Sequence, residues 1–303
     1  MKASACSKII LLGEHAVVYG VPAIAVPLST VRAYVEATPA DAFTITADTD
    51  PSWRLALTDE HPFIQLVQRI AEQTQTVLPA VRMHIQSQVP IASGLGSGAA
   101  IATALARALL AHTGQALPLE KLNALIYESE TYYHGTPSGI DNTVIVYEKP
   151  VFFQRSQPIQ VLDAFEPFTL VIANTGIAAP TREAVADVRR LYERDPKRIS
   201  KVFEHIQQLV LNGLDAMTRG DWQVLGDAFD ANHRLLQDLT VSCPELDALV
   251  NEARAAGALG AKLSGGGRGG NLIALVEPAQ AAHVEDRLLH AGAVWTKIVE
   301  VKP

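Results

Sequence analysis

The chain has 303 residues, room for two domains or one large one, and it is 48% hydrophobic and 19% charged with 20 Gly and 17 Pro, too apolar for disorder and too interrupted for a fibre. Lys and Arg number 25 against 32 Asp and Glu, a balance of -7, which argues against gripping nucleic acid through its phosphates. It does not exclude a local positive pocket for a small anion.

In the first half, residues 8–12 form a short apolar run closed by Gly13, and 21–26 read as its antiparallel partner. Residues 31–36 and 43–46 alternate as half-buried strands. Residues 62–73 have helical spacing through Phe63, Leu66, Val67 and Ile70, and 81–86 alternate again until Pro90 stops them. Residues 97–112 predict a small-residue helix ended by Gly114, and 118–133 a second. After the turn-rich stretch 134–139, residues 143–147 and 151–153 read as strands. The polar stretch 154–158 is a boundary candidate. A strand at 169–173 then opens a run of helices at 181–192, 196–218, 221–238 and 244–256. Strands at 261–264 and 271–276, a helix at 278–290 and a last strand at 293–301 complete an α+β pattern. The two cysteines, Cys6 and Cys243, make neither a disulfide framework nor a zinc spacing, and read as free thiols. The opening residues lack a signal-peptide pattern, and the apolar stretch 99–111 contains Thr103 and Arg107 and falls short of a bilayer span. The expectation is a cytoplasmic protein.

Two glycine segments carry chemistry. In Pro90-Ile91-Ala92-Ser93-Gly94-Leu95-Gly96-Ser97-Gly98-Ala99, three glycines clear space around backbone amides just before a helix N-terminus. That combination suits an anion, most naturally phosphate. No Gly-Lys-Ser/Thr ends it, so it is not a Walker loop, and it lies too deep in the chain for an opening dinucleotide fingerprint. A glycine turn that merely starts a helix is the blander alternative. In Lys262-Leu263-Ser264-Gly265-Gly266-Gly267-Arg268-Gly269-Gly270-Asn271, close approach to a ligand or another backbone explains the glycines better than a flexible linker does. Taken singly, the ionisable candidates are ordinary: Lys8 as a snorkelling lysine, His15 as a structural histidine, Glu130 and Asp141 as solvated or capping acids.

Their order along the chain is less ordinary. Lys8 followed by Leu12-Gly13-Glu14-His15-Ala16-Val17-Val18-Tyr19-Gly20, the first glycine loop, His134-Gly135-Thr136-Pro137-Ser138-Gly139-Ile140-Asp141-Asn142 and the second glycine loop together resemble the GHMP kinase superfamily. The Gly-Glu-His and Gly-Ile-Asp segments, with Asn174-Thr175-Gly176 and Thr181-Arg182, are similar to its mevalonate kinase branch. The resemblance implies an α+β fold of two domains, 1–165 like the second domain of ribosomal protein S5 and 166–303 ferredoxin-like. It implies ATP and Mg2+ as cofactors and transfer of the ATP γ-phosphoryl group to the C5 hydroxyl of mevalonate in isoprenoid biosynthesis.

By the same resemblance Asp141 is the catalytic base and Lys8 its electrostatic partner. Pro90, Gly94, Leu95, Gly96, Ser97, Gly98 and Ala99, with Gly265, Gly266 and Gly267, bind the nucleotide. Lys8, Glu14, His15, Ser138, Asp141 and Thr181 surround the substrate, and Glu130 and Ser97 hold the metal. The chain departs from the family pattern twice. Gly98 stands where a second serine usually follows, so Ser97, water or a phosphate oxygen completes the metal's coordination. Arg268 stands where glycine is common, and reads as pointing to solvent, with a phosphate contact as the alternative. Trp53 is a core or surface side chain rather than an adenine neighbour. Alternatives within enzymes are a kinase for another small alcohol and a mevalonate 3-kinase or decarboxylase-like relative. Outside enzymes, the alternative is a ligand sensor on the same fold. No membrane or nucleic-acid partner is expected, and a homodimer stays open.

Overall fold

The computed structural model describes residues 1–90, 94–134, 137–179 and 181–303, with only the backbone of Tyr133 and His134. Residues 91–93 of the first glycine loop, 135–136 of the Gly-Ile-Asp segment, and Pro180 lie outside the described residues. In chain order the elements are β1 (Lys2–Leu12), a 3-10 turn (Ala16–Tyr19), β2 (Ala23–Pro39), β3 (Thr44–Ala47), β4 (Asp50–Ala56), α1 (Pro62–Thr74), β5 (Val81–Ser87), α2 (Ser97–Thr113), α3 (Leu119–His134) and α4 (Ile140–Tyr147). There follow β6 (Val151–Phe153), β7 (Gln160–Val161), β8 (Phe168–Asn174), α5 (Thr181–Arg194), α6 (Pro196–Arg219), α7 (Trp222–Asp238) and α8 (Pro244–Ala255). The last are β9 (Gly260–Ser264), β10 (Asn271–Val276), a 3-10 turn (Pro278–Gln280), α9 (Ala281–His290) and β11 (Trp295–Val301).

These elements pack as two compact units. The first is Met1–Lys8, Pro27–Ile91 and Gly96–Glu148; the second is Ile9–Val26, Ala92–Leu95 and Lys149–Pro303. In the first, β5 lies between β2 and β3, antiparallel to β2 (Ala33↔Ser87) and parallel to β3 (Thr44↔Arg82), with β4 outside β3. Helices α1 to α4 pack on one another. Helix α2 can sit at their centre because its sequence is rich in alanine: Ala99, Ala100, Ala102, Ala104, Ala106 and Ala108 are all fully buried. Small side chains let neighbouring helices approach, and close packing supplies stability that so few large apolar groups could not. Helix α1 starts with Pro62 in its first turn, where no N–H is lost, and His61 caps it by accepting the Phe63 amide.

In the second unit, β8, β9, β10 and β11 form an antiparallel sheet in the order β11-β8-β10-β9. The alternating apolar residues of β8 and β10 are buried on both faces. Helices α6 and α7 are started by Asp195 and Asp221, whose carboxylates accept the Arg198 and Val224 amides, and α6 stops at left-handed Gly220. Strand β9 is a sheet edge covered by α7. Its outward amides at Ala261 and Leu263 donate to Asp230 Oδ1 (2.9 Å) and His233 Nδ1 (3.2 Å), so the edge is blocked by side chains rather than by another strand. Gly226 and Gly260 make this approach possible, since a Cβ on Gly226 would stand 2.3 Å from the Leu259 carbonyl oxygen.

One predicted element is corrected. Residues 143–147, rich in β-branched side chains, read as a strand, but 140–147 form α4. Gly139 supplies a left-handed cap at φ 93°, and residues 142–146 are buried all round. A short apolar run buried on every side carries no period to separate helix from strand, and tertiary burial overrides β propensity. Strand β4, begun by Asp50-Pro51, was not expected; a proline reads as a breaker but is tolerated at the start of an edge strand.

Candidate active site

In the first unit, β1 delivers Lys8 and the first turn of α4 delivers Asp141. The Lys8 Nζ lies 2.9 Å from Asp141 Oδ1, with the lysine side chain 2% exposed and the aspartate 34%. A lysine at that depth needs a counter-charge close by, and the Asp141 carboxylate supplies it. Asp141 also lies in the first turn of α4, where the free helix amides present partial positive charge. Thr143 Oγ1 donates to the Gly139 carbonyl (2.6 Å) and Ser138 Oγ accepts the Ile140 amide (3.3 Å), so the turn entering α4 is tied down on both sides.

Glu130, near the end of α3, is 3% exposed. Burial, then the neighbouring Asp141, push its carboxyl up to about 8 against the pull of Lys8. Its Oε1 fills the space next to α2: a Cβ on Gly98 would stand 2.7 Å from it. Gly96, at φ 74°, is equally without room, since a Cβ there would meet Ile145 Cδ1 at 2.8 Å and Lys8 Cγ at 3.3 Å. The glycines of this loop thus leave space for named side chains, Lys8 and Glu130. Ser97 is the first residue of α2 and Ala99 is buried beneath it; Pro90 is half-buried.

Glu130 and Asp141 are hard oxygen donors, and the charge of Asp141 helps to raise the Glu130 carboxyl, a crowding that a divalent cation would offset. No group of three or more His, Cys, Asp or Glu side chains able to hold a metal occurs among the described residues. One or two carboxylates, such as Glu130 and Asp141, suit Mg2+, which keeps several waters and takes its other oxygens from substrate phosphates.

In the second unit, the Gly-Glu-His segment meets the second glycine loop. Glu14, 1% exposed, pairs with Lys262 Nζ and accepts from Asn232 Nδ2 (3.1 Å), while Lys262 also donates to the Leu263 carbonyl (2.7 Å). Burial pulls the Lys262 ammonium down, opposed by Glu14. His15 adopts φ 61°. Its Nε2 lies 3.0 Å from the Gly266 carbonyl; a carbonyl only accepts, so Nε2 carries the hydrogen and Nδ1 the lone pair. That Nδ1 is buried with no partner among the described residues. Burial first, partly opposed by the Gly266 bond, lowers the His15 pKa to about 4, so the ring is neutral at pH 7.

The two glycine loops also meet here. A Cβ on Gly265 would lie 3.4 Å from Gly94 Cα, and both glycines have positive φ (93° and 84°). Leu95 is buried beside them. On the other side of the second loop, Thr181 Oγ1 stands 2.4 Å from where a Gly266 Cβ would be, and Val241 O 1.9 Å from a Gly267 Cβ. Close approach of backbone to backbone therefore explains these glycines.

Arg268 is corrected: it does not point to solvent. Its Nη1 pairs with Asp187 of α5 (2.5 Å) and its Nε donates to the Thr240 carbonyl (3.2 Å). Trp53 is a half-buried residue of β4 lying edge-on to His61, ring centroids 5.9 Å apart. Lys262, Asn232 and Ser264, whose hydroxyl donates to the Ile10 carbonyl (2.7 Å), were missed as site supports. A signal existed for Lys262: a lysine in the middle of a predicted buried strand needs a partner.

Residues 62–149 match the family described as GHMP kinases N terminal domain, and 214–293 the GHMP kinases C terminal family. A mevalonate kinase of Pyrococcus furiosus is 32% identical over 92% of this chain and 90% of its own length. One of Thermococcus gammatolerans is 33% identical over 96% and 93%. Among solved structures, L. major mevalonate kinase in complex with R-mevalonate superposes with a TM-score of 0.85 at 30% identity, covering 100% of this chain and 96% of that one. Streptococcus pneumoniae phosphomevalonate kinase, at 17% identity and a TM-score of 0.82, shares the fold.

Proposed function

The chain belongs to the GHMP kinase family, in its mevalonate kinase branch, and on that premise we propose that it transfers the γ-phosphoryl group of ATP to the C5 hydroxyl of (R)-mevalonate. The observation that carries this reading is the Lys8–Asp141 pair, set beside glycines that exist to admit it.

Phosphoryl transfer asks a protein for positioning and charge neutralisation more than for covalent chemistry. The hydroxyl oxygen attacks the γ-phosphorus as the bond to the bridging oxygen breaks, and ADP leaves. Asp141 orients the hydroxyl and takes its proton. A carboxylate is a weak base for an alcohol, so the proton moves late, after the new bond has begun to form. Lys8 pairs with Asp141 and faces the charge on the transferring group. The amides of Gly94, Leu95, Gly96 and Ser97, extended by Pro90, Gly98 and Ala99, hold the nucleotide phosphates, with Gly265, Gly266 and Gly267 contributing from the second loop. Glu130 would hold Mg2+, with Ser97 as a further oxygen; Mg2+ when bound neutralises the phosphate oxygens. His15 offers Nδ1 as an acceptor to a substrate hydroxyl, with Glu14, Ser138 and Thr181 completing the substrate set.

The test is an ATP-consumption panel with mevalonate, 5-phosphomevalonate, galactose and homoserine, followed by NMR of the product. The expected product carries phosphate at C5. Phosphate at C3, or no turnover of mevalonate, would sink the proposal. Asp141→Asn and Lys8→Met are expected to cut kcat by roughly 100-fold or more while calorimetry finds ATP affinity nearly unchanged.

A further inference from the structure

Arg268 is the only residue other than glycine between Gly265 and Gly270, and it sits at φ 59°. That left-handed conformation favours glycine and is strained for a residue with a Cβ. Its contacts offset the strain. The guanidinium pairs with Asp187 Oδ2 (2.5 Å) and donates to the Thr240 carbonyl, while the Arg268 amide donates to the Val241 carbonyl (2.8 Å). Three segments of the second unit therefore meet at one residue: the glycine loop, α5, and the turn that follows α7.

Helix α5 is thinly held elsewhere. Of its 14 residues only Ala184 and Val188 are buried, and Tyr192 near its far end rests against Tyr19, centroids 5.2 Å apart. Its first residue, Thr181, touches the glycine loop at Gly266. Asp187 lies about one and a half helical turns beyond Thr181, on the stretch that decides how that end of the helix sits. Asp187 also pairs with Arg190, so removing Arg268 would not strand a lone carboxylate.

We propose that Arg268 is a positioning residue: through Asp187 it holds α5, and with it Thr181, against Gly266, and so sets the affinity for the phosphate acceptor. The proposal rests on the reading above in placing Thr181 among the substrate contacts. It assigns a use to an arginine whose guanidinium is committed to a helix and a carbonyl rather than to a phosphate. The pair is about a quarter exposed (28% and 24%), so its effect falls on local order more than on global stability.

The experiment compares the full-length wild type with Arg268→Gly, Arg268→Asp, Asp187→Arg and the double exchange Arg268→Asp/Asp187→Arg. Arg268→Gly suits the left-handed backbone, so it is expected to melt as the wild type does. It should speed hydrogen exchange across 181–188 and raise the KM for mevalonate roughly tenfold with little change in kcat or in the KM for ATP. The two charge singles should behave likewise, and the double exchange should recover most of both effects, which a structural defect at either position would not. Unchanged exchange along α5 in Arg268→Gly would overturn the proposal, as would an unchanged KM for mevalonate, or a double exchange no better than its singles. If the wild type turns over another acceptor in place of mevalonate, the substrate assignment fails by itself; exchange and that acceptor's KM then decide the role of Arg268.

Discussion

At Gly96 and Gly98 the absent side chain has two different consequences. A Cβ at Gly96 would face Ile145 and Lys8 at a backbone angle of φ 74°, inside packed structure. Gly96→Ala is therefore expected to lose about 1–3 kcal/mol of stability in urea titration, from strain and overpacking together. Gly98 lies in the first turn of α2 without a left-handed angle, and its neighbour is the tip of the Glu130 carboxylate, which can swing. Gly98→Ser should fold, with Glu130 displaced, and require a changed Mg2+ concentration for half-maximal rate. An unchanged Mg2+ requirement would mean that Glu130 does not meet the metal. The sequence marked both positions as glycine; only the neighbours distinguish a packing glycine from one that makes room for a ligand group.

At the scale of elements, β9 is held by side chains reaching across from α7 and by Glu14, in the segment that follows β1. Glu14 and Lys262 are both buried and pair with each other; Glu14 also accepts from Asn232 and Lys262 also donates to the Leu263 carbonyl. Lys262→Met leaves the Glu14 charge buried with one amide for company, and should cost about 3–5 kcal/mol; adding Glu14→Gln should restore a large part of it. Chemical denaturation of the two singles and the double measures this. The histidines on the same edge make stability depend on pH. His15 and His233 have folded pKa values of about 4, lowered mainly by burial and further by nearby cations, Arg268 and Lys262 for His15 and Lys262 and Arg254 for His233. The unfolded chain protonates both near 6.5, while the folded chain resists until about 4. Their contribution is therefore complete above 6.5, declines as the pH falls from 6.5 to 4, and is flat below. Denaturation midpoints across pH 4–8 should show that decline, and His233→Gln, which does not titrate, should remove about half of it. A slope left intact in His233→Gln would remove that residue as a source.

At the scale of the whole molecule, the packed units interleave along the chain, whereas 1–165 and 166–303 is our proposed division into family domains. The second unit includes Ile9–Val26, and with it Glu14 and His15. A fragment of 166–303 alone would carry Lys262 without its carboxylate. It is expected to give the collapsed, poorly dispersed amide spectrum of a partly folded chain; a well-dispersed spectrum would show that the C-terminal half stands by itself. No helix among the described residues is long and apolar enough to cross a membrane, and Cys6 and Cys243 are free thiols, with Cys6 pushed up to about 12 mainly by burial. The sequence by itself determined the kinase family, the helices and strands with clear periods, and the residues worth watching, because glycine spacing, caps and hydrophobic alternation act over a few neighbouring positions. Only the tertiary structure decided that 140–147 is a helix, that Gly94 touches Gly265, that Lys262 neutralises Glu14, and that Arg268 reaches Asp187 rather than water. Each of those outcomes depends on groups from tens to hundreds of residues apart being desolvated together; local pattern can mark that a partner is needed, as a lysine within a buried strand does, but it does not name the partner.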